Sequence, residues 1–206
     1  MGSYADDALF MSRNNIEYVE LISDDGKSKV MVIPAWQGRV MTTSAAGDEG
    51  DSYGWINYSF IKKRQIDLQF NPVGGEERFW LGPEGGVFSL YFRQGEKQIY
   101  KNWKVPPVLD IEAFKIQSQS KNCICLTKEG CLTNACGTTF YLNIKRTISL
   151  LDINEFAASF NLEFPKDIKA VAYKSDNQIT NIGNESWNKE TGLISVWTVS
   201  YTHLTL

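Results

Sequence analysis

FYLNIKRTISL, residues 140–150, alternates apolar and polar side chains with a period of two residues. Successive side chains of a strand point to opposite faces, so this pattern predicts a β-strand with one buried face. Only Arg146 interrupts its apolar side. That side consists of Phe140, Leu142, Ile144, Ile148 and Leu150.

Signals for strands and turns dominate the rest of the chain. Residues 16–22 and 29–33 flank Asp24-Asp25-Gly26, which predicts a β-hairpin. Residues 87–92 form a β-prone run between glycines and are predicted to be another strand. One short helix is expected near the start, with Ser3 as its N-cap. Many short strands with glycine-rich turns predict an all-β protein built as a sandwich of antiparallel sheets.

The composition excludes several classes of function. Of the 206 residues, 43% are hydrophobic and 13% aromatic, which is typical of a globular chain with a real core. The net charge is −3 and basic residues do not cluster, so we expect neither nucleic acid nor a membrane as partner. The N-terminus lacks the features of a signal peptide. We therefore expect a cytoplasmic location if Met1 is the true start, and a periplasmic one if a leader has been lost.

The four cysteines lie close together, but their spacing fits no common zinc motif. Cys123 and Cys125 share one face of a predicted strand. Residues 128–130 supply a turn, and Cys131 begins the return strand. The expected arrangement is a hairpin with free thiols, and we predict neither a metal nor a cofactor.

The last eight residues, VSYTHLTL (199–206), resemble a translated transposase adapter of the kind left in metagenomic assemblies. On this interpretation, residues 1–198 are a C-terminally truncated domain and residues 199–206 are not native. The alternative is an ordinary β-prone strand. His203 is the only histidine in the chain, so the adapter hypothesis removes it from any acid–base mechanism.

Two segments carry a family resemblance. They are PAWQGRVMTT (34–43), continuing to YGWIN (53–57), and VGGEERFWLGPEGG (73–86). Together with residues 176–181 and 187–197, they resemble an uncharacterised bacterial branch of the galactose-mutarotase-like, or aldose-epimerase-like, superfamily. The resemblance implies an antiparallel β-supersandwich whose concave sheet binds a pyranose or the sugar end of a glycan, with further strands beyond residue 198.

The resemblance and the residue types together predict a sugar site. Sugar sites combine charged or amide hydrogen-bonding groups with aromatic platforms. Six residues of the two segments supply such groups. They are Arg39, Glu76, Glu77, Arg78, Trp80 and Glu84. In the alternative interpretation, Arg78 pairs with one of these glutamates in a buried network that holds two sheets together, and Trp80 belongs to the core.

Catalysis is harder to predict than binding. Characterised enzymes of the superfamily use histidines as acids and a late glutamate as base, whereas this chain has Glu76-Glu77 where a histidine is expected. Glu77 and Glu84 are the candidate catalytic residues, since adjacent Glu76 and Glu77 on a strand are expected to point to opposite faces. The predicted function is a carbohydrate-binding protein of unknown specificity. The alternatives are an aldose epimerase that uses carboxylates, and a scaffold that only assembles with another protein.

Overall fold

The computed structural model describes residues 2–165 and 167–200 and contains, within them, nine β-strands and three α-helices. The strands are β1 (Val19–Ile22), β2 (Lys29–Ile33), β3 (Arg39–Ser44), β4 (Glu77–Gly82), β5 (Lys115–Gln119), β6 (Cys123–Thr133), β7 (Thr139–Leu151), β8 (Ala172–Asn181) and β9 (Ser195–Ser200). The helices are α1 (Tyr4–Arg13), α2 (Tyr58–Lys62) and α3 (Ile153–Ser159).

The strands form two antiparallel sheets. One has five strands in the order β1-β2-β3-β4-β9, and the other has four in the order β5-β6-β7-β8. The predicted all-β class of two antiparallel sheets is therefore confirmed. Long segments between β3 and β4 and between β4 and β5 carry short helical turns, and these segments build the cavities described below.

The predicted alternation of residues 140–150 is confirmed in β7, where buried and more exposed side chains alternate along the whole strand. Ile144 and Ile148 are fully buried, and Arg146 is buried with them on the inner face. Both neighbours of β7 pair with it over ten or more residues, and β7 is one of the two inner strands of the four-stranded sheet.

The five-stranded sheet has a core on each of its faces. Val30 and Val32 of β2 pack into the core between the two sheets, whereas Met31 and Ile33 pack into a second core. The second core also contains Met11 of α1 and Ile61 of α2. Strand β2 is buried along its full length because it carries hydrophobic side chains on both of its faces.

The N-terminal predictions are confirmed. Ser3 caps α1 through a reciprocal capping box, in which its side chain accepts from the amide of Asp6 and the Asp6 carboxylate accepts from the amide of Ser3. Strands β1 and β2 pair as the expected hairpin around Gly26. A free N–H at a helix start and a positive φ at a turn are local requirements, so local sequence indicates them well.

The predicted strand at residues 87–92 is wrong, because this segment is a series of turns and bends. The amide of Ser89 donates to the carbonyl of Gly86, which closes a turn inside the segment. Leu90 and Tyr91 nevertheless lie in the core between the sheets. Two of the apolar residues that suggested a strand are thus core residues of a loop, whereas Val87 is exposed.

The predicted turn at residues 128–130 is also wrong. Strand β6 continues through Gly130, which pairs with Leu142, and the chain reverses only after Thr133. A Cβ at Gly130 would lie 2.9 Å from Cγ2 of Val108. The glycine therefore permits a close approach of the loop to the sheet and is not there to make a turn.

Val199 and Ser200 pair with β4 as the end of β9, while residues 201–206, including His203, lie outside the described residues. The four cysteines are free thiols. In the described parts of the chain, no three His, Cys, Asp or Glu side chains gather as a metal site would require. None of the described helices has the length and apolar character needed to cross a membrane.

Candidate functional site

Arg39 begins β3 and is almost fully buried, with 2% of its surface exposed. Its Nη1 atom donates to the carbonyl oxygen of Gly74 at 2.6 Å. Gly75 has a φ of +116°, and a Cβ there would lie 2.6 Å from Cδ of Arg39. The Gly74-Gly75 pair therefore lets the backbone pass directly against the arginine side chain.

Arg78 of β4 is buried against the segment that precedes β5. Its Nη2 atom donates to the carbonyl oxygen of Leu109 at 3.0 Å and to Oδ1 of Asp110 at 3.1 Å. The guanidinium carbon also lies 4.0 Å from the centroid of the Trp80 ring. A buried arginine needs a counter-charge, and Asp110 supplies it.

Asp110 is held by Asn71 and Arg78, and the positive charge of Arg39 also acts on it. Its Oδ2 atom accepts hydrogen bonds from the backbone amide of Asn71 at 3.0 Å and from Nδ2 of Asn71 at 2.7 Å. Burial raises the pKa of Asp110 above its ordinary value, although the bonds from Asn71 and the positive charges of Arg78 and Arg39 oppose that rise. Asp110 is a fixed acceptor whose ionised form is less favoured than that of an exposed aspartate.

A cavity of about 280 Å³ opens on Asp110 and Asn71, and we call it the Asp110 cavity. Its walls come from the end of α1, the helical turn Pro34–Trp36, the end of α2 and the residues that follow α2. The lining residues are Asn14, Ile16, Ala35, Trp36, Phe60, Ile61, Arg64, Gln65, Ile66, Asn71, Val73, Asp110 and Ile111. Two aromatic rings, several amide or guanidinium groups and one buried carboxylate therefore face one space.

Glu76 and Glu77 lie together between the two sheets rather than in this cavity. Oε2 of Glu77 accepts from Nη2 of Arg146 at 2.6 Å, and Oε2 of Glu76 accepts from the hydroxyl of Thr43 at 2.8 Å. The hydroxyl of Tyr173 is hydrogen-bonded to the carboxylate of Glu76. Burial is the largest cause that raises the pKa of Tyr173, and the charges of the two carboxylates raise it further.

The expectation that the two carboxylates point to opposite faces is wrong. Strand β4 begins only at Glu77, and Gly74 and Gly75, which precede Glu76, have positive φ. Glu76 therefore stands outside the pleat and turns toward the same cluster as Glu77. This cluster joins β4 to β7 and β8 across the interior.

Trp80 belongs to the core, as the alternative interpretation of the sequence proposed. Its ring stacks on Tyr91 with a centroid distance of 5.4 Å, and Tyr91 stacks on Trp103 at 5.7 Å. Tyr100 continues this aromatic stack at 6.3 Å from Trp103. Glu84, by contrast, is exposed and lines a separate shallow cavity of about 310 Å³ at the outer end of the stack.

The six predicted site residues thus fall into four places. Arg78 is paired with Asp110 and the charge of Arg39 also acts on that carboxylate, Glu76 and Glu77 meet between the sheets, Trp80 lies in the core, and Glu84 is exposed. Sequence reasoning missed Asp110 because a single aspartate after Pro106-Pro107 has no periodic pattern around it. The one available signal was chemical, since a buried arginine requires a carboxylate partner, but Glu76, Glu77 and Glu84 were candidates much nearer in the sequence than Asp110.

A predominantly antiparallel β fold with a buried arginine–aspartate site describes the class of protein. The chain belongs to DUF6786, a family of unknown function, whose sequence model matches residues 2–204. No curated protein and no solved structure matches the chain. The prediction of an uncharacterised family is thereby confirmed.

Proposed function

We propose that the chain is a carbohydrate-binding protein on a galactose-mutarotase-like scaffold, and that the sugar occupies the Asp110 cavity. The observation that carries the proposal is the convergence of a buried carboxylate–amide pair with the rings of Trp36 and Phe60 on one open cavity. The site predicted from the sequence moves accordingly, from the glutamates of residues 76–84 to Asp110 and the residues around it.

The chemistry of the cavity suits a sugar. A pyranose presents hydroxyl groups on its edge and a weakly apolar ring face. Asp110 accepts hydrogen bonds from Asn71 and Arg78, and its carboxylate is the acceptor that we propose for a ligand hydroxyl. Trp36 offers a ring face, and the exposed side chains of Arg64 and Gln65 offer donors at the rim.

The size of the cavity favours a small ligand. Its volume of about 280 Å³ lies just under the range of about 300–1,000 Å³ that is usual for drug-sized ligands. One monosaccharide, or the terminal unit of a glycan that extends into solvent, is the ligand we propose. The mutarotase-like supersandwich remains part of this proposal and is supported by two antiparallel sheets and by residues 34–43 and 73–86.

Isothermal titration calorimetry of the purified chain against a panel of monosaccharides and short oligosaccharides tests the proposal. We expect at least one neutral sugar to bind. Trp36→Ala, which removes the ring face, and Gln65→Ala, which removes a rim donor, are expected to weaken that sugar by about tenfold or more each.

Trp55→Ala and Lys63→Ala are the matched controls. Trp55 is 41% exposed and Lys63 is an exposed neighbour of Arg64, yet neither lines the Asp110 cavity. Both variants are expected to bind the sugar within about twofold of the parent chain, because neither removes a group from the cavity. The absence of binding across the whole panel, or equal losses in cavity and control variants, contradicts the proposal.

An aldose epimerase is the second candidate, and the raised pKa of Asp110 is the observation that favours it. Mutarotation needs an acid at the ring oxygen and a base at the anomeric hydroxyl. Asp110 fits the acid, but it is the one carboxylate among the described residues that line the cavity, so a base has to come from elsewhere. For this reason binding is favoured over catalysis.

Polarimetry separates the two candidates. An epimerase is expected to accelerate the mutarotation of at least one aldose over the buffer blank, and Asp110→Asn is expected to abolish the acceleration because the acid is lost. A rate equal to the blank for every aldose that binds rejects the epimerase and leaves the binding protein in place.

A further inference from the structure

A second and larger cavity is lined in part by Val105, Pro106 and Pro107, which precede Asp110 in the chain. It has a volume of about 510 Å³ and shares no lining residue with the Asp110 cavity. Arg93 and Lys104 both line it, so we call it the Arg93–Lys104 cavity. The amide of Lys104 donates to the carbonyl of Tyr91 at 2.9 Å, which ties the chain segment of one cation to that of the other.

The charge of this cavity is one-sided. Arg93 and Lys104 contribute two positive charges, and no Asp or Glu is among the described residues that line the space. Neither cation forms a salt bridge within the part of the chain that the structure describes. Two like charges at one concave surface repel each other and gain from an anion placed between them.

The rest of the lining combines apolar and hydrogen-bonding groups. Val105 and Leu132 are buried, and Leu68 has 82% of its surface exposed beside them. Pro106 and Pro107 form a rigid wall. Gln94, Asn102 and Thr133 add polar groups. An inorganic anion alone would leave this apolar surface uncovered, whereas an anion with an apolar body would cover it.

We infer that the Arg93–Lys104 cavity binds a small organic anion, a carboxylate or phosphate ester carried on an apolar or ring-shaped body. The two cations hold the anionic group, while the leucine and proline side chains contact the body. This site is separate from the proposed sugar site, so the two can be tested independently.

Calorimetry with phenyl phosphate and benzoate as probes tests the inference, with phenol as the uncharged comparison. Both anions are expected to bind, and phenol is expected to bind at least about tenfold more weakly because it lacks the anionic group. The affinity is expected to fall as salt is raised, since both cations are exposed to solvent.

Charge-removing variants locate the site. The double variant Arg93→Gln/Lys104→Gln is expected to weaken phenyl phosphate by about tenfold or more. The control Lys97→Gln/Lys101→Gln makes the same change in net charge on the same segment, at exposed residues outside the cavity. It is expected to retain the affinity within about twofold, because exposed charges outside the cavity do not contact the ligand and are screened. The inference is overturned if the two double variants lose affinity for phenyl phosphate equally, or if neither anion binds.

Cys131 provides a readout that does not depend on affinity. It is an exposed free thiol that lines this cavity, whereas Cys136 does not line it. Phenyl phosphate is expected to slow alkylation of Cys131 by iodoacetamide and to leave that of Cys136 unchanged, as measured by peptide mass spectrometry. Phenyl phosphate that binds without protecting Cys131 overturns the location.

Discussion

Glu76 shows how the fold sets the properties of a single carboxylate. Burial is the largest cause that raises its pKa, and hydrogen bonds from Thr43 and Tyr173 oppose the rise without cancelling it. The folded chain therefore holds the proton of Glu76 at a higher pH than the unfolded chain does. Between the ordinary pKa of 4.5 and the higher folded value, stability falls as the pH rises, because the folded state binds more protons there.

Glu76→Gln removes this dependence while keeping the shape of the side chain. The free energy of unfolding of the parent chain, taken relative to the variant, is expected to decrease as pH rises from about 4 to 7, and to level off once Glu76 is ionised in both states. Urea denaturation at a series of pH values measures the difference. A relative stability that increases with pH over this range contradicts the assignment.

The lack of a side chain at Gly130 lets strand β6 lie close to the loop that carries Val108. A Cβ at this position would meet Cγ2 of Val108 at 2.9 Å. Gly130→Ala is therefore expected to destabilise the chain by about 1–3 kcal/mol through overpacking. Chemical denaturation measures the loss.

Val108→Ala supplies the matching test, because it removes the methyl groups that the new Cβ would meet. Added to Gly130→Ala, it is expected to cost less than it does in the parent chain, so that the two changes are not additive. Additive losses would show that the glycine has some other role.

Helix α1, the hairpin of β1 and β2, and strand β7 were predictable from the sequence because their causes are local. A cap at Ser3, the positive φ of Gly26 and the alternation of residues 140–150 each leave a mark within a few residues. The predictions for residues 87–92 and for Gly130 were wrong because contacts with residues distant in the sequence decide the structure there. Side chains of the first segment pack into the core, and the missing side chain of Gly130 makes room for Val108. The candidate site shows the same division, since Arg39 and Arg78 were recognised as unusual but their partner Asp110 is recognised only when the chain is folded.

At the scale of the whole molecule, one ion pair connects the two sheets through the interior. Arg146 of β7 has none of its side chain exposed and Glu77 of β4 has 7%, and their closest atoms lie 2.6 Å apart. The guanidinium carbon of Arg146 also lies 5.2 Å from the ring centroid of Phe79, which follows Glu77 on the same face of β4. The pair therefore fixes how one sheet sits on the other.

A double-mutant cycle measures this connection. Arg146→Met and Glu77→Gln are each expected to destabilise the chain by about 3–5 kcal/mol, because each leaves the other residue as a buried charge without its partner. The double variant is expected to lose clearly less than the sum, since no charge is then left uncompensated. Free energies of unfolding of all four proteins give the coupling. A coupling near zero would mean that this ion pair does not contribute to the alignment of the two sheets.

The aromatic stack has a spectroscopic consequence. Tyr91 lies between the parallel rings of Trp80 and Trp103, and Trp197 of β9 meets Trp80 edge-on. Rings held this closely in a fixed chiral arrangement couple electronically, so the near-ultraviolet circular dichroism of the native chain should be dominated by this group. The loop between β4 and β5 carries two of these rings. Its docking on the sheet can therefore be followed in real time by an intrinsic optical signal, without any added label.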